Sequence, residues 1–123
     1  MAAQCSSFSM SYNDYQGNVC IDQDYYNVYG TVELTSVSYS SPCSPEVYVK
    51  LELRRIDPYS TVIDEVYLGG MHDAWGCDLN EKHGQHSNIK NNTGKEIYID
   101  AVFYRDSSYS TFLARASSPK IVR

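Results

Sequence analysis

No apolar run in this sequence approaches the length of a membrane-spanning helix. The longest, Ala101-Val102-Phe103-Tyr104, is far below the roughly 20 residues a helix needs to cross a bilayer, so helical membrane insertion is excluded. Basic residues are also scarce. Ten Lys and Arg face fifteen Asp and Glu, for a formal charge of −5. The only basic concentrations are Arg54-Arg55 and the pair Lys120 and Arg123. Phosphate backbones are held by clustered cations, so no nucleic-acid partner is expected. Helical periodicity, internal repeats and linker-like tracts are absent, so one domain is expected. The sequence has no C-x-x-C, H-E-x-x-H, G-x-S-x-G or EF-hand pattern. Catalysis and a resident cofactor are therefore not expected. Phenylalanine and tryptophan are few, at three and one, against twelve tyrosines. Most aromatic surface thus carries a hydroxyl, which suits half-buried strand faces and interfaces.

What is present is alternation. Val47, Val49, Leu51 and Leu53 take one parity and Tyr48, Lys50, Glu52 and Arg54 the other, which is the period of a half-buried strand. Ile97, Ile99, Ala101 and Phe103 repeat the pattern against Tyr98, Asp100, Val102 and Tyr104. Further strands are expected over 6–12, 61–68 and 110–114, and within 26–39, with a bend at Gly30 and a bulge or change of face near Thr35 and Ser36. Turn residues such as Asp14-Tyr15-Gln16-Gly17, Asp57-Pro58 and Gly69-Gly70 separate these runs. Six to eight short strands of this kind predict an all-β, single antiparallel β-sandwich of jelly-roll or immunoglobulin-like type. The expected division is a short N-terminal connector or donor segment over 1–15 and a sandwich domain over 16–123.

Four cysteines, Cys5, Cys20, Cys43 and Cys77, in a small β-rich chain point to disulfides and an oxidising, extracellular setting; three intramolecular pairings are open. The start, Met1-Ala2-Ala3-Gln4, has no basic and apolar signal pattern, so either a signal has been removed or the chain reaches the outside without one. The stretch from Gly69 to Lys95 reads as a long polar loop holding Trp75, His83 and His86, an alternative ligand site for a carbohydrate or cell-surface receptor. Tyr12, Tyr15, Tyr48, Tyr98 and Tyr104 are expected outside the aliphatic core, where contiguous aromatic surface invites a partner.

Asn18-Val19-Cys20-Ile21-Asp22, with the Met-Ala start and the early Cys5-Ser6, resembles the Ena-type endospore appendage subunits of bacilli. The resemblance implies a jelly-roll subunit whose N-terminal connector is disulfide-bonded to neighbouring copies in a pilus-like fibre made without a secretory signal. Cys5 then matches a connector cysteine and Cys20 the receiving one. The tyrosine- and serine-rich composition and the lack of adjacent connector cysteines depart from that family's pattern. The resulting expectation is a structural, self-assembling filament subunit on a cell or spore surface, joined to copies of itself by strand augmentation and disulfides.

Overall fold

The computed structural model describes residues 3–35, 44–56, 59–72, 78–87, 89 and 94–123. Nine strands are found among them: β1 Gln4–Ser9, β2 Gln16–Gln23, β3 Val28–Leu34, β4 Val47–Ile56, β5 Ser60–Met71, β6 Glu81–His86, β7 Glu96–Tyr104, β8 Phe112–Ser117 and β9 Ile121–Val122. They form two antiparallel sheets, β1-β2-β3-β6 and β5-β4-β7-β8, with β9 also paired to β7. The architecture is the expected all-β sandwich. Described residues contain no helix long and apolar enough to cross a membrane.

The alternating runs bury the faces that their periods require. Val47, Val49, Leu51 and Leu53 of β4 and Ile97, Ile99, Ala101 and Phe103 of β7 are all fully buried. Val19 and Ile21 of β2 and Val28, Val32 and Leu34 of β3 face them from the other sheet. Gly30 is a correction to the expected bend, because β3 runs through it in unbroken register with Ile21 and with Gly84. The glycine pair instead makes room for one leucine. A Cβ at Gly30 would lie 2.7 Å from Leu51 Cδ1, and one at Gly84 would lie 3.0 Å from the same atom. Of the expected bulge near Thr35 and Ser36, Thr35 follows β3 with its amide donating to the Gln16 carbonyl at 2.8 Å, and Ser36 lies outside the described residues.

One further expectation changes. The stretch from Gly69 to Lys95 is not one loop: β5 continues to Met71, and Glu81–His86 forms β6, paired with β3 from Glu33↔Glu81 to Val28↔His86. The N-terminal segment, expected as a connector or donor segment over 1–15, contains β1, which pairs with β2 at the outer edge of the first sheet.

Gly30→Val would put methyl groups where Leu51 sits, in a core with no slack. The expected loss is about 1–3 kcal/mol of unfolding free energy, measured from the urea midpoint. An unchanged midpoint would show that the sheets can move apart at this point.

Candidate functional site

The margin of the first sheet is built around one cross-strand pair. Antiparallel register sets Cys5 opposite Cys20, and the two are disulfide-bonded within the chain at a Cα separation of 4.0 Å. Facing residues of an antiparallel pair bring their Cβ atoms within disulfide reach, so the bridge follows from register. β1 is otherwise lightly held. Cys5, Ser7 and Ser9 are exposed, and Phe8 is its half-buried aromatic anchor. The Phe8 ring covers Gly17, where an added Cβ would lie 2.8 Å from Phe8 Cζ, and its centroid stands 5.4 Å from that of Phe103 in the opposite sheet.

The loop returning β1 onto β2 contains a 3-10 turn, Tyr12–Asp14, in which Asn13 and Asp14 take left-handed φ values of 53° and 52°. Such values are uncommon for residues with a side chain, although Asn and Asp tolerate them best. Tyr12 is half-buried at this turn. Tyr15 corrects the expectation of an exposed interface residue, being only 1% exposed. The Met10 amide donates to the Tyr15 carbonyl at 2.9 Å, which closes the loop and turns the ring inward. Its hydroxyl donates to Glu46 Oε2 at 2.8 Å, and Asn13 Nδ2 donates to the same oxygen at 2.6 Å. Buried His72 places Nδ1 3.4 Å from both Tyr15 Oη and Glu46 Oε1. A carboxylate hub thus ties the loop to the start of β4 and the end of β5.

The outer face of the second sheet carries the other expected tyrosines. Tyr48 and Tyr104 come together around Tyr109, with ring centroids 6.2 and 5.5 Å from it, and Tyr67 joins them at 4.7 Å. Phe112 packs edge-on to Tyr104 at 6.4 Å. Lys50 Nζ sits 5.8 Å from the Tyr67 and Tyr104 centroids, within cation–π range. Tyr67 follows from strand parity once β5 is known. Tyr109 has no periodic signal, because it lies in the β7–β8 turn at a φ of 56°. Asp106 organises that turn by accepting from the hydroxyls of Ser108 and Ser110 and from the Thr111 amide. These donors hold its carboxyl well below the usual carboxylate range.

Tyr98 stands apart from this cluster, its hydroxyl 2.5 Å from Ser60 Oγ. Between the two lies an ionic row. Glu52 Oε1 accepts from Arg54 and Arg115, Glu52 Oε2 is 3.3 Å from Lys50 Nζ, and Asp100 accepts from Arg115 at 2.9 Å and from Ser117. Glu52 and Asp100 are only 4% and 3% exposed although they face outward. Burial opposes ionisation of Glu52, but Arg115, Arg54 and Lys50 outweigh it, so the carboxyl titrates below its ordinary value.

His83 and His86 do not converge. Three residues apart on a strand they point to opposite faces. His83 is exposed, with Nδ1 3.0 Å from Thr31 Oγ1, whereas His86 is fully buried between the sheets with Nδ1 2.7 Å from Asp64 Oδ2 of β5. His86 Nε2 is buried without a hydrogen-bond partner. Among the described residues no group of three or more His, Cys, Asp or Glu is arranged to hold a metal ion. Trp75, Cys43 and Cys77 lie outside the described residues. Comparison with protein-family models, with curated proteins and with solved structures finds no match.

Burial, partly offset by Asp64, lowers the His86 pKa below its ordinary value of 6.5. The unfolded chain then binds the proton more readily than the folded one. His86 therefore contributes its full share of stability above about pH 6.5, and that share is lost as pH falls through the folded value. The urea midpoint should drop on acidification from about pH 7 to about pH 5, and it should drop less in His86→Gln. Equal acid sensitivity in both proteins would assign the effect to other groups.

Proposed function

We propose that this chain is the structural subunit of an extracellular filament, with copies joined along the margin of the first sheet by strand pairing and by a Cys5–Cys20 bridge. The condition of β1 carries this reading. It is an edge strand of six residues with one aromatic anchor, held chiefly by backbone hydrogen bonds and a disulfide. β2 offers the same register and the same Cys20 to a β1 arriving from another copy. Exchange of β1 preserves the native contacts while linking two chains. The left-handed residues Asn13 and Asp14 lie in the loop that folds β1 back, and opening that loop releases them from an uncommon conformation. If each copy gives its β1 forward and receives one from behind, the contact never closes on itself and a filament results. A disulfide at this joint suits an oxidising extracellular environment.

Isotope mixing tests the idea directly. Unlabelled and nitrogen-15 chains are reduced, unfolded together, refolded and air-oxidised, and the peptides bridged by Cys5 and Cys20 are weighed. Strand exchange predicts mixed-label bridges and a ladder in non-reducing electrophoresis that collapses on reduction. Bridges of single label only, with a monomer band under both conditions, would reject it.

A second reading, a secreted carbohydrate- or receptor-binding module, is favoured by a different observation. Tyr48, Tyr67, Tyr104, Tyr109 and Phe112 lie together beside Lys50 on an open sheet face, with Tyr67 56% and Phe112 57% exposed. Aromatic rings next to hydroxyl and ammonium groups suit the apolar faces and hydroxyls of a pyranose. On this reading Tyr67→Ala with Phe112→Ala weakens binding of the parent chain's best oligosaccharide by more than about 1 kcal/mol, as titration calorimetry would record. Lack of binding by the parent chain to a broad glycan panel would retire it.

A further inference from the structure

The turn between β7 and β8 holds a tyrosine in a backbone conformation that its side chain disfavours. Tyr109 has a φ of 56°, uncommon for any residue with a Cβ and more so for one with a bulky ring. Two sets of bonds keep it there. The Asp106 carboxylate gathers Ser108, Ser110 and Thr111, and the Tyr109 amide donates to the Asp106 carbonyl at 3.1 Å. On the side facing β5, the Tyr109 hydroxyl accepts from the Gly69 amide at 3.0 Å. The β4–β5 register shifts between Val49 and Lys50, opposite Gly69 and Tyr67, and Gly69 itself has a φ of 88°. An irregularity of this kind re-aims the strand, here presenting the Gly69 amide to the tyrosine. Backbone strain maintained by so many partners points to a use for the ring it positions.

What it positions is a phenol pair drawn from distant parts of the chain. The Tyr67 and Tyr109 centroids are 4.7 Å apart at an interplanar angle of 74°, a separation close to that of two directly bonded benzene rings. Tyr67 is 56% exposed, so a reagent can reach it and its ring can turn edge-on to its partner about its side-chain torsions. Tyr48 and Tyr104 touch Tyr109 with centroids at 6.2 and 5.5 Å, so an electron lost from any of the four rings is exchanged among rings in contact. Tyr25 and Tyr26 also stand 4.7 Å apart. They are consecutive residues, however, and joining their rings would close a small cycle on a turn already fixed by Asp24. Tyr67 and Tyr109 belong to separate elements and carry no such restriction.

We propose that Tyr67 and Tyr109 form an oxidative cross-linking site, joined as dityrosine by a haem peroxidase acting with hydrogen peroxide. Phenols are neutral near pH 7, so each ring gives one electron to the oxidant and its hydroxyl proton to water, leaving a neutral phenoxyl radical. The two radicals form a carbon–carbon bond between ring carbons ortho to the oxygens. Each of those carbons then releases its hydrogen as a proton, and each oxygen takes one up, which restores two phenols. Two hydrogen atoms leave the chain per link, and one hydrogen peroxide accepts two electrons and two protons to become two waters. Because the rings are held in contact, coupling within one chain outpaces coupling between dilute chains. The link ties β5 to the β7–β8 turn across β4 and β7, and, unlike the Cys5–Cys20 bridge, thiols do not break it. It depends on neither the filament nor the carbohydrate reading, since both rings belong to one chain.

The test uses the full chain with its disulfide intact, as a dilute equal mixture of unlabelled and nitrogen-15 protein. Brief treatment with a haem peroxidase and hydrogen peroxide should give dityrosine fluorescence, a chain mass lower by two hydrogens, and a tryptic cross-link between 56–82 and 106–115 carrying a single label. Tyr67→Phe and, separately, Tyr109→Phe keep the ring and remove the oxidisable hydroxyl, and each should lower the yield of that cross-link about tenfold or more. Tyr25→Phe and Tyr59→Phe should leave it unchanged. The linked chain should melt about 5 °C or more above the untreated one, because its unfolded state retains a closed loop. Cross-links of mixed label only, links confined to other tyrosines, or an undiminished yield in both the Tyr67 and Tyr109 variants would overturn the assignment. So would an absence of dityrosine in the protein under conditions that couple free tyrosine.

Discussion

The spacing between the two sheets depends on Leu51 fitting over a pair of residues without side chains. Gly30 and Gly84 stand opposite each other in adjacent strands, and the Leu51 methyl from the facing sheet occupies the space that their Cβ atoms would fill. A close-packed interior has no void to absorb an added methyl at that point. The β6 strand contributes little apolar surface of its own, so its place beside β3 and against β5 relies on this close approach. Through β6 the same contact brings His86 within reach of Asp64. Elsewhere between the sheets Phe8 packs against Phe103 of β7.

Polar groups inside this sandwich are few and occupy joints. The Glu46 carboxylate gathers Asn13, Tyr15 and His72 where the N-terminal loop crosses β4 and β5. His86 and Asp64 join the two sheets along another edge. On the outer face of the second sheet, long basic side chains lie over Glu52 and Asp100, so an outward-facing row is nearly as dry as the core. Buried charges are tolerated there because each carboxylate is matched by more than one donor. Such matching favours one register of β4, β7 and β8 over its neighbours, since a one-residue slip would turn every partner to the opposite face.

The proposed function draws on what this core leaves at the margins. In the proposed filament the first strand, anchored by one aromatic ring and a disulfide, would come from another chain with almost the same contacts, whereas β4 and β7, buried through both neighbours and facing residues, would stay with their own chain. The tyrosine face of the second sheet is a separate surface and does not depend on exchange of β1.

Much of the architecture was legible because half-buried strands state their own period. The parities of β4 and β7 were readable from Val47 to Leu53 and from Ile97 to Phe103, and with them the sandwich and its inward and outward faces. By contrast, Glu81-Lys82-His83-Gly84-Gln85-His86 contains no aliphatic residue. Only pairing with β3 makes it a strand, so the loop expected there could not be corrected locally. Nor does being a tyrosine decide burial: Tyr15 enters the core because a loop closure aims its hydroxyl at Glu46, while Tyr48 and Tyr104 remain on a face gathered around Tyr109. The cysteines alone left several pairings open, and antiparallel register selected Cys5 with Cys20. Composition and periodicity determined that this chain forms sheets with one apolar face each. Which strands neighbour one another, which polar groups meet and which edges stay open were decided by long-range pairing, an energy that no local stretch of residues contains.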